Sequence, residues 1–196
     1  MVKAKDGIIL DFMCLTMVDP ATGWFEIVEL PLTSITVKHE GGSAFEIIID
    51  KTSASVAHLF NTQWLSRYPR SRQIIFDNGS EFKLEFASLC KSYGIKRKPT
   101  TVKNPQVNAI LEQLHGIFTD MLQTSSLDMQ DTVTPADIDT FLVDAVWAVC
   151  STYHTVLTTS PGAAIFGRDM LFNILYLTDW TAIGQRRQHL VIRDNA

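Results

Sequence analysis

This sequence of 196 residues has no long apolar run, no paired cysteines and no excess of basic residues. No stretch approaches the ~20 consecutive apolar residues that a membrane-spanning helix requires. The basic first residues lead to no cleavage site, so a signal peptide is not expected either. Cys14, Cys90 and Cys150 are odd in number and widely separated, which excludes a disulfide framework and a Cys-x-x-Cys zinc site. Reduced thiols in an intracellular protein are the simplest expectation.

The charge balance limits the classes of partner. A net charge of −4 and a pI near 5.7 argue against a stand-alone nucleic-acid binder, which usually carries a basic excess. A catalytic core that gains affinity for DNA from attached domains remains compatible with this charge. Five cations fall within thirteen residues: Lys91, Lys96, Arg97, Lys98 and Lys103. Such a run is either a solvated face or a phosphate-binding segment.

The remaining composition is that of one globular domain, with 46% hydrophobic and 19% charged residues. Apolar patterns predict a hairpin of strands over 8–18 and 24–30, joined by a turn at 19–23. Residues 33–46 are predicted as a loop with a weak strand, and 72–76 as a short buried strand before an extended basic segment. Helical periodicity covers four ranges: 50–68, 81–93, 105–123 and 137–155. This order predicts an α/β fold in which helices flank a mixed sheet.

Two carboxylates stand out because of their positions. Asp77 ends the apolar run of the 72–76 strand and precedes turn-forming residues, and Glu112 lies in the opening of the 105–123 helix. A carboxylate at a strand end and another on a nearby helix can share divalent cations, and Mg²⁺ prefers such oxygen ligands together with substrate phosphates. The alternatives are a plain turn aspartate and an ordinary glutamate on a helix surface.

The sequence resembles the integrase core of gypsy-type LTR retrotransposons, with retroviral integrases as more distant relatives. The resemblance covers roughly residues 8–190 and rests on five motifs: VDPATGWFE at 18–26, FDNGSEF at 76–82, YGIK at 93–96, NPQ at 104–106 and SPGAAIFGR at 160–168. It implies a ribonuclease H-like fold and DNA integration by metal-dependent polynucleotidyl transfer. The implied domains are a catalytic core over 1–170 and an irregular C-terminal extension over 171–196.

The resemblance also assigns residues. The family holds two Mg²⁺ or Mn²⁺ ions with three acids, of which Asp77 matches the second and Glu112 the third. The residues expected to contact nucleic acid are Asn78, Lys96, Arg97, Lys98, Lys103, Gln106 and Asn108, although the asparagines and Gln106 can equally serve as caps and turn formers. The implied partners are element and target DNA and further copies of the chain. The implied location is intracellular, with action in the nucleus.

Three departures from the family pattern bear on activity. The first family acid lies on a strand upstream of 8–18, so that strand and its aspartate are expected to be absent, with little or no strand transfer by the chain as written. The family tends to have glycine at position 109 and a basic residue at 113, where this sequence has Ala109 and Gln113. The alternative function is therefore a catalytically inactive remnant that binds nucleic acid or protein.

Overall fold

The computed structural model describes residues 2–3, 9–10, 12–39, 42–100, 109–125, 134–172, 175 and 177–194. Within these residues six strands precede the first helix, two further strands alternate with helices, and four helices follow the last strand. A π-helical turn, Asn61–Leu65, continues the first helix. The strands are β1 Val2–Lys3, β2 Ile9–Leu10, β3 Cys14–Val18, β4 Phe25–Glu29, β5 Leu32–His39, β6 Gly42–Ile49, β7 Gln73–Phe76 and β8 Lys96–Pro99. The helices are α1 Ser53–Phe60, α2 Leu84–Ser92, α3 Ala109–Thr124, α4 Pro135–Ser151, α5 Pro161–Phe166 and α6 Trp180–Asp194.

The strands form pairs, and both pair directions occur. β1 with β2 and β5 with β6 are antiparallel, β3 pairs with β4, and β7 runs parallel to β8. The expected α/β class is confirmed. The predicted hairpin is present as β3 and β4, and its turn follows from sequence chemistry: the Asp19 carboxylate accepts hydrogen bonds from Ala21 N–H and the Thr22 hydroxyl. Gly23 closes this turn at φ +74°, a value that favours glycine.

Three local predictions were wrong. Residues 33–39 and 42–46 are not a loop with a weak strand but belong to the paired strands β5 and β6, whose β-branched residues favour this structure: Thr33, Ile35, Thr36 and Val37 in β5 and Ile47 to Ile49 in β6. The single strand expected over 8–18 is interrupted between β2 and β3. The tail after residue 170 is not irregular throughout, since it contains α6. The Asp179 carboxylate accepts a hydrogen bond from Ala182 N–H at 2.9 Å and so caps this helix.

The chain divides into two compact units, Met1–Met17 with Glu26–Thr140 and Val18–Phe25 with Phe141–Ala196. The boundary expected at residue 170 stays a prediction. No helix within the described ranges has both the length and the apolar character needed to cross a membrane.

An aromatic cluster forms the core of the first unit. Phe86 is 3% exposed, and its ring centroid lies 5.5 Å from that of Phe60, 5.8 Å from that of Phe76 and 5.1 Å from that of Phe82. The Ser53 hydroxyl joins two helix starts next to this cluster: it donates to Lys83 O at 2.5 Å and accepts from Phe86 N–H at 3.0 Å. The start of α2 is thereby held against the start of α1.

The second unit has its own core around the SPGAAIFGR segment. Trp24 and Phe166 pack edge to face with centroids 5.3 Å apart. Ser160 caps α5 by accepting a hydrogen bond from Ala163 N–H. A side chain at Gly162 would collide with Met170, because an added Cβ would lie 1.8 Å from its sulfur. The sequence signature at 160–168 is thus accounted for by packing.

Candidate metal and nucleic-acid site

Asp77 lies directly after β7, at the start of a tight turn. Its side chain is exposed, and its Oδ1 accepts a hydrogen bond from Gly79 N–H at 3.0 Å, as in an Asx turn. A Cβ added at Gly79 would lie 2.4 Å from a Glu81 carboxylate oxygen, so that flexible side chain would have to move. The turn chemistry read from the sequence is therefore confirmed. The Asp77 carboxylate is otherwise open to solvent.

The strand end that carries Asp77 is fixed on both sides. Phe76 packs in the aromatic cluster with its ring centroid 5.3 Å from that of Phe82. Its carbonyl accepts a hydrogen bond from Thr100 N–H at 2.7 Å, which ties the carboxyl end of β7 to that of β8. A carboxylate on a supported strand end is a better-positioned ligand than one on a free loop.

Glu112 lies in the first turn of α3 and is exposed. One turn later, His115 Nε2 lies 3.1 Å from the Thr16 hydroxyl of β3. Residues three apart on a helix share a face, so Glu112 lies on the side of α3 that meets β3. Lys103, Gln106 and Asn108 lie outside the described residues, and the roles expected for them stay predictions.

The carboxylates present are hard oxygen donors, the kind that Mg²⁺ and Mn²⁺ take. In the part of the chain that the structure describes, no three His, Cys, Asp or Glu side chains stand close enough to hold a metal ion together. Asp77 and Glu112 are exposed carboxylates of the donor type that such a cation takes, and further oxygen atoms would have to complete its shell. Their assignment as metal ligands stays a prediction.

The basic run of β8 is split between two faces. Lys96 pairs with Gln73 and Lys98 with Ile75, and both lysines are exposed on one side of the strand pair. Arg97 points to the other side, where its guanidinium donates to Phe82 O at 3.3 Å and lies 6.0 Å from the Phe76 ring centroid. The phosphate-binding role expected for Arg97 is untested, and the residue also supports the turn that carries Asp77.

Cys14 and Cys90 are not suited to act as nucleophiles. Burial, together with the neighbouring carboxylates of Glu29 and Asp139, raises the pKa of Cys14 to about 12. Burial also raises the pKa of Cys90. A thiol with a raised pKa is a poor nucleophile at neutral pH because little thiolate is present.

Sequence reasoning missed one carboxylate pair. Burial and the charge of Asp139 raise the pKa of Glu29 above its ordinary value. The two residues are 110 positions apart in sequence (139 − 29), so no local pattern could have shown their proximity.

Comparisons with known proteins show which structures this chain is similar to. A scan of the sequence against models of protein families gave no match, and neither did a search of the curated proteins. Solved structures of retroviral integrase catalytic cores do match. The dimeric form of the HTLV-2 integrase core in complex with magnesium is 18% identical with a TM-score of 0.51, over 78% of this chain and 82% of that one.

The chain has a ribonuclease H-like fold. Two further integrase cores cover 77% of this chain and 90% of theirs at a TM-score of 0.47: the trimeric HTLV-2 form at 18% identity and a BIV crystal form at 20%. The likeness to the dimeric HTLV-2 form, at a TM-score of 0.51 and 18% identity, establishes the fold alone, and residue roles have to be argued from this chain's own side chains. The expected fold class is confirmed.

Proposed function

We propose that this chain is a retroelement integrase core of the gypsy type, which joins DNA by metal-dependent polynucleotidyl transfer. The observation that carries the proposal is the position of Asp77. It is an exposed carboxylate at a strand end that an aromatic cluster and a β8 hydrogen bond hold in place, within a ribonuclease H-like fold. The FDNGSEF motif that suggested the family is the segment that builds this geometry.

Asp77 and Glu112 are the residues assigned to hold Mg²⁺ or Mn²⁺. The HTLV-2 core was solved in complex with magnesium, which supports this choice of cation. When bound, such a cation stabilises charge on the attacking and leaving oxygens of a phosphoryl transfer. In the joining step, a DNA 3′-oxygen forms a bond to phosphorus, the bond from that phosphorus to a target 3′-oxygen breaks, and the leaving oxygen takes up a proton.

The test is a strand-transfer assay with Mn²⁺, a labelled duplex with a recessed 3′ end and a plasmid target. Any product that the wild type forms is expected to fall at least ~100-fold in Asp77→Asn and in Glu112→Gln, since even outer partners of metal ligands cost 10–100-fold. Asp120→Asn and Glu85→Gln are matched controls, because both carboxylates are exposed on α3 and α2. They are expected to leave product unchanged. Equal losses in all four variants would reject the assignment.

A second candidate function is nucleic-acid binding without catalysis. It is favoured by Gln113, which follows Glu112 where the resembled family tends to have a basic residue, so a positive charge next to the proposed metal ligands is missing. Binding of duplex DNA with no Mn²⁺-dependent product, unaltered in Asp77→Asn and Glu112→Gln, would support this function over the first.

The proposed partners are DNA and further copies of this chain, with action in the nucleus. Self-association is supported by two apolar side chains one turn apart on α4: Val143 is 68% exposed and Trp147 50%. The HTLV-2 integrase core has been solved in dimeric and trimeric forms. Light scattering of the wild type and of Trp147→Glu tests the proposal, which fails if the wild type is monomeric at micromolar concentration.

A further inference from the structure

Two chain segments, 66–73 and 91–98, meet at the amino end of the β7–β8 pair. Gln73 pairs with Lys96 at the start of the parallel register, and Lys96 N–H donates to Arg72 O at 3.0 Å. The Arg70 guanidinium carbon lies 4.4 Å from the centroid of the Tyr93 ring. Because the sequence separates the two segments, their cations come together only through the fold.

The joined segments carry charge of a single sign. They contain seven cations and no aspartate or glutamate: Arg67, Arg70, Arg72, Lys91, Lys96, Arg97 and Lys98. The whole chain has 17 cations and 21 acids, so the other residues carry 10 cations and the same 21 acids, a balance of −11. Such separation produces a local positive field on an acidic protein, which steers a polyanion to one place.

All seven side chains are exposed, and five of them lie before β7 or before or at the first residue of β8: Arg67, Arg70, Arg72, Lys91 and Lys96. Two features order them. The Tyr93 ring beneath Arg70 is itself held by a hydrogen bond from its hydroxyl to Asn61 Oδ1 at 3.2 Å. Lys91 and Lys96 line an open groove of about 590 Å³ whose other walls include small residues such as Ala87, Ser88 and Gly94.

We propose that these five residues, the amino-end basic surface, bind the phosphodiester backbone of duplex DNA at a place separate from the Asp77 end. The two ends are separated by the length of β7, four residues or ~13 Å. Arginine forks match phosphate oxygens in two hydrogen bonds each. The choice of DNA as the polyanion rests on the proposed function. Backbone contacts of this kind make binding independent of sequence and dependent on salt.

The experiment compares two triple variants that lose the same charge. Arg70→Gln/Arg72→Gln/Lys91→Gln removes three cations from the surface, and Lys51→Gln/Lys83→Gln/Arg168→Gln removes three exposed cations elsewhere. Anisotropy of a labelled 20-base-pair duplex is measured in EDTA over a range of NaCl concentrations. Each lost phosphate contact lowers the slope of log K against log salt by ~0.9, so a fall of ~2.7 is expected for the first triple and none for the second.

Equal changes in both triples would show a general charge effect and overturn the proposal, as would an unchanged slope in the first. If that triple melts below the wild type, Lys91→Gln alone replaces it, with an expected fall of ~0.9 in slope. EDTA keeps this outcome apart from the proposed function, since loss of strand transfer in Asp77→Asn has no bearing on metal-free binding. Likewise, a failed transfer assay leaves the slopes to decide the surface.

Discussion

The two ends of the β7–β8 pair differ in almost every respect that matters for chemistry. The carboxyl end presents the exposed carboxylate of Asp77, on a turn in which its Oδ1 accepts a hydrogen bond from Gly79 N–H. The amino end presents cations from two segments and no acid. A small cation is the ligand proposed for the first end and an extended anion the ligand proposed for the second, although only four residues of β7 separate them.

The difference shows how a short parallel pair can separate two kinds of binding. Charges of opposite sign at one place would neutralise each other, and lysines there would compete with a metal cation for the Asp77 carboxylate. A strand length of ~13 Å exceeds the Debye length at physiological salt, ~8 Å, so the two ends are largely independent for exposed charges. The comparison therefore predicts that changes at one end leave the other intact.

The largest expected effect is a loss of stability that disrupts both ends of the β7–β8 pair together. Phe86→Ala removes the ring that contacts Phe60, Phe76 and Phe82, and such a change typically costs 3–5 kcal/mol in free energy of unfolding. Phe172→Ala makes the same chemical change at a side chain 65% exposed and should cost about 0.5 kcal/mol or less. Urea denaturation measures both. Similar midpoints for the two variants would show that the cluster does not support the pair.

Smaller effects are expected at the neighbouring β8 residues Arg97 and Lys98, and the two effects should differ in kind. Lys98→Gln should lower the salt slope of DNA binding by ~0.9 with little change in stability, because Lys98 is exposed beside the carboxyl end. Arg97→Gln should lower the free energy of unfolding by about 1 kcal/mol through the lost bond to Phe82 O. Anisotropy and denaturation of both variants check this. If both change only binding, the two side chains share one role and the face assignment fails.

Much of the Asp77 end was predictable because its causes are local. Apolar residues before an acid, followed by Asn-Gly-Ser, specify a strand end and a turn, and Gly94 predicted the end of α2, where its φ is +68°. The hairpin turn at Asp19 followed from the same kind of short-range chemistry. The resemblance of the motifs suggested the proposed function, and the solved dimeric HTLV-2 integrase core supported the fold.

The amino-end surface could not be predicted, since its causes are not local. The sequence shows Lys91 to Lys98 as one basic run, and the arginines near position 70 lie twenty residues earlier. Only the parallel register places Arg72 beside Lys96. The same register sends Arg97 to the face opposite Lys98, which alternation alone could have suggested only after the strand was known.

Ser71 tests whether the amino end is arranged for binding at some cost to stability. Its hydroxyl is buried with no hydrogen-bond partner in the described structure, and it lies between Arg70 and Arg72. An unsatisfied buried hydroxyl costs ~1–3 kcal/mol, so Ser71→Ala should raise the free energy of unfolding by about 1 kcal/mol. The exposed Ser88→Ala is the control, with no expected change. A destabilised Ser71→Ala would show that the hydroxyl has a partner, and the salt slope should be unaltered.

The smallest effect concerns Glu29, a half-buried carboxylate that lies near the like charge of Asp139. Burial and Asp139 raise the pKa of Glu29, so the folded state binds its proton more tightly than the unfolded state. The stability this proton confers is present below the unfolded pKa of about 4.3 and is lost as pH rises through the folded pKa. Glu29→Gln should therefore raise the melting temperature at pH 8, with the difference shrinking to zero by pH 4. A variant that is less stable than the wild type at pH 8 would mean that Glu29 has a compensating partner.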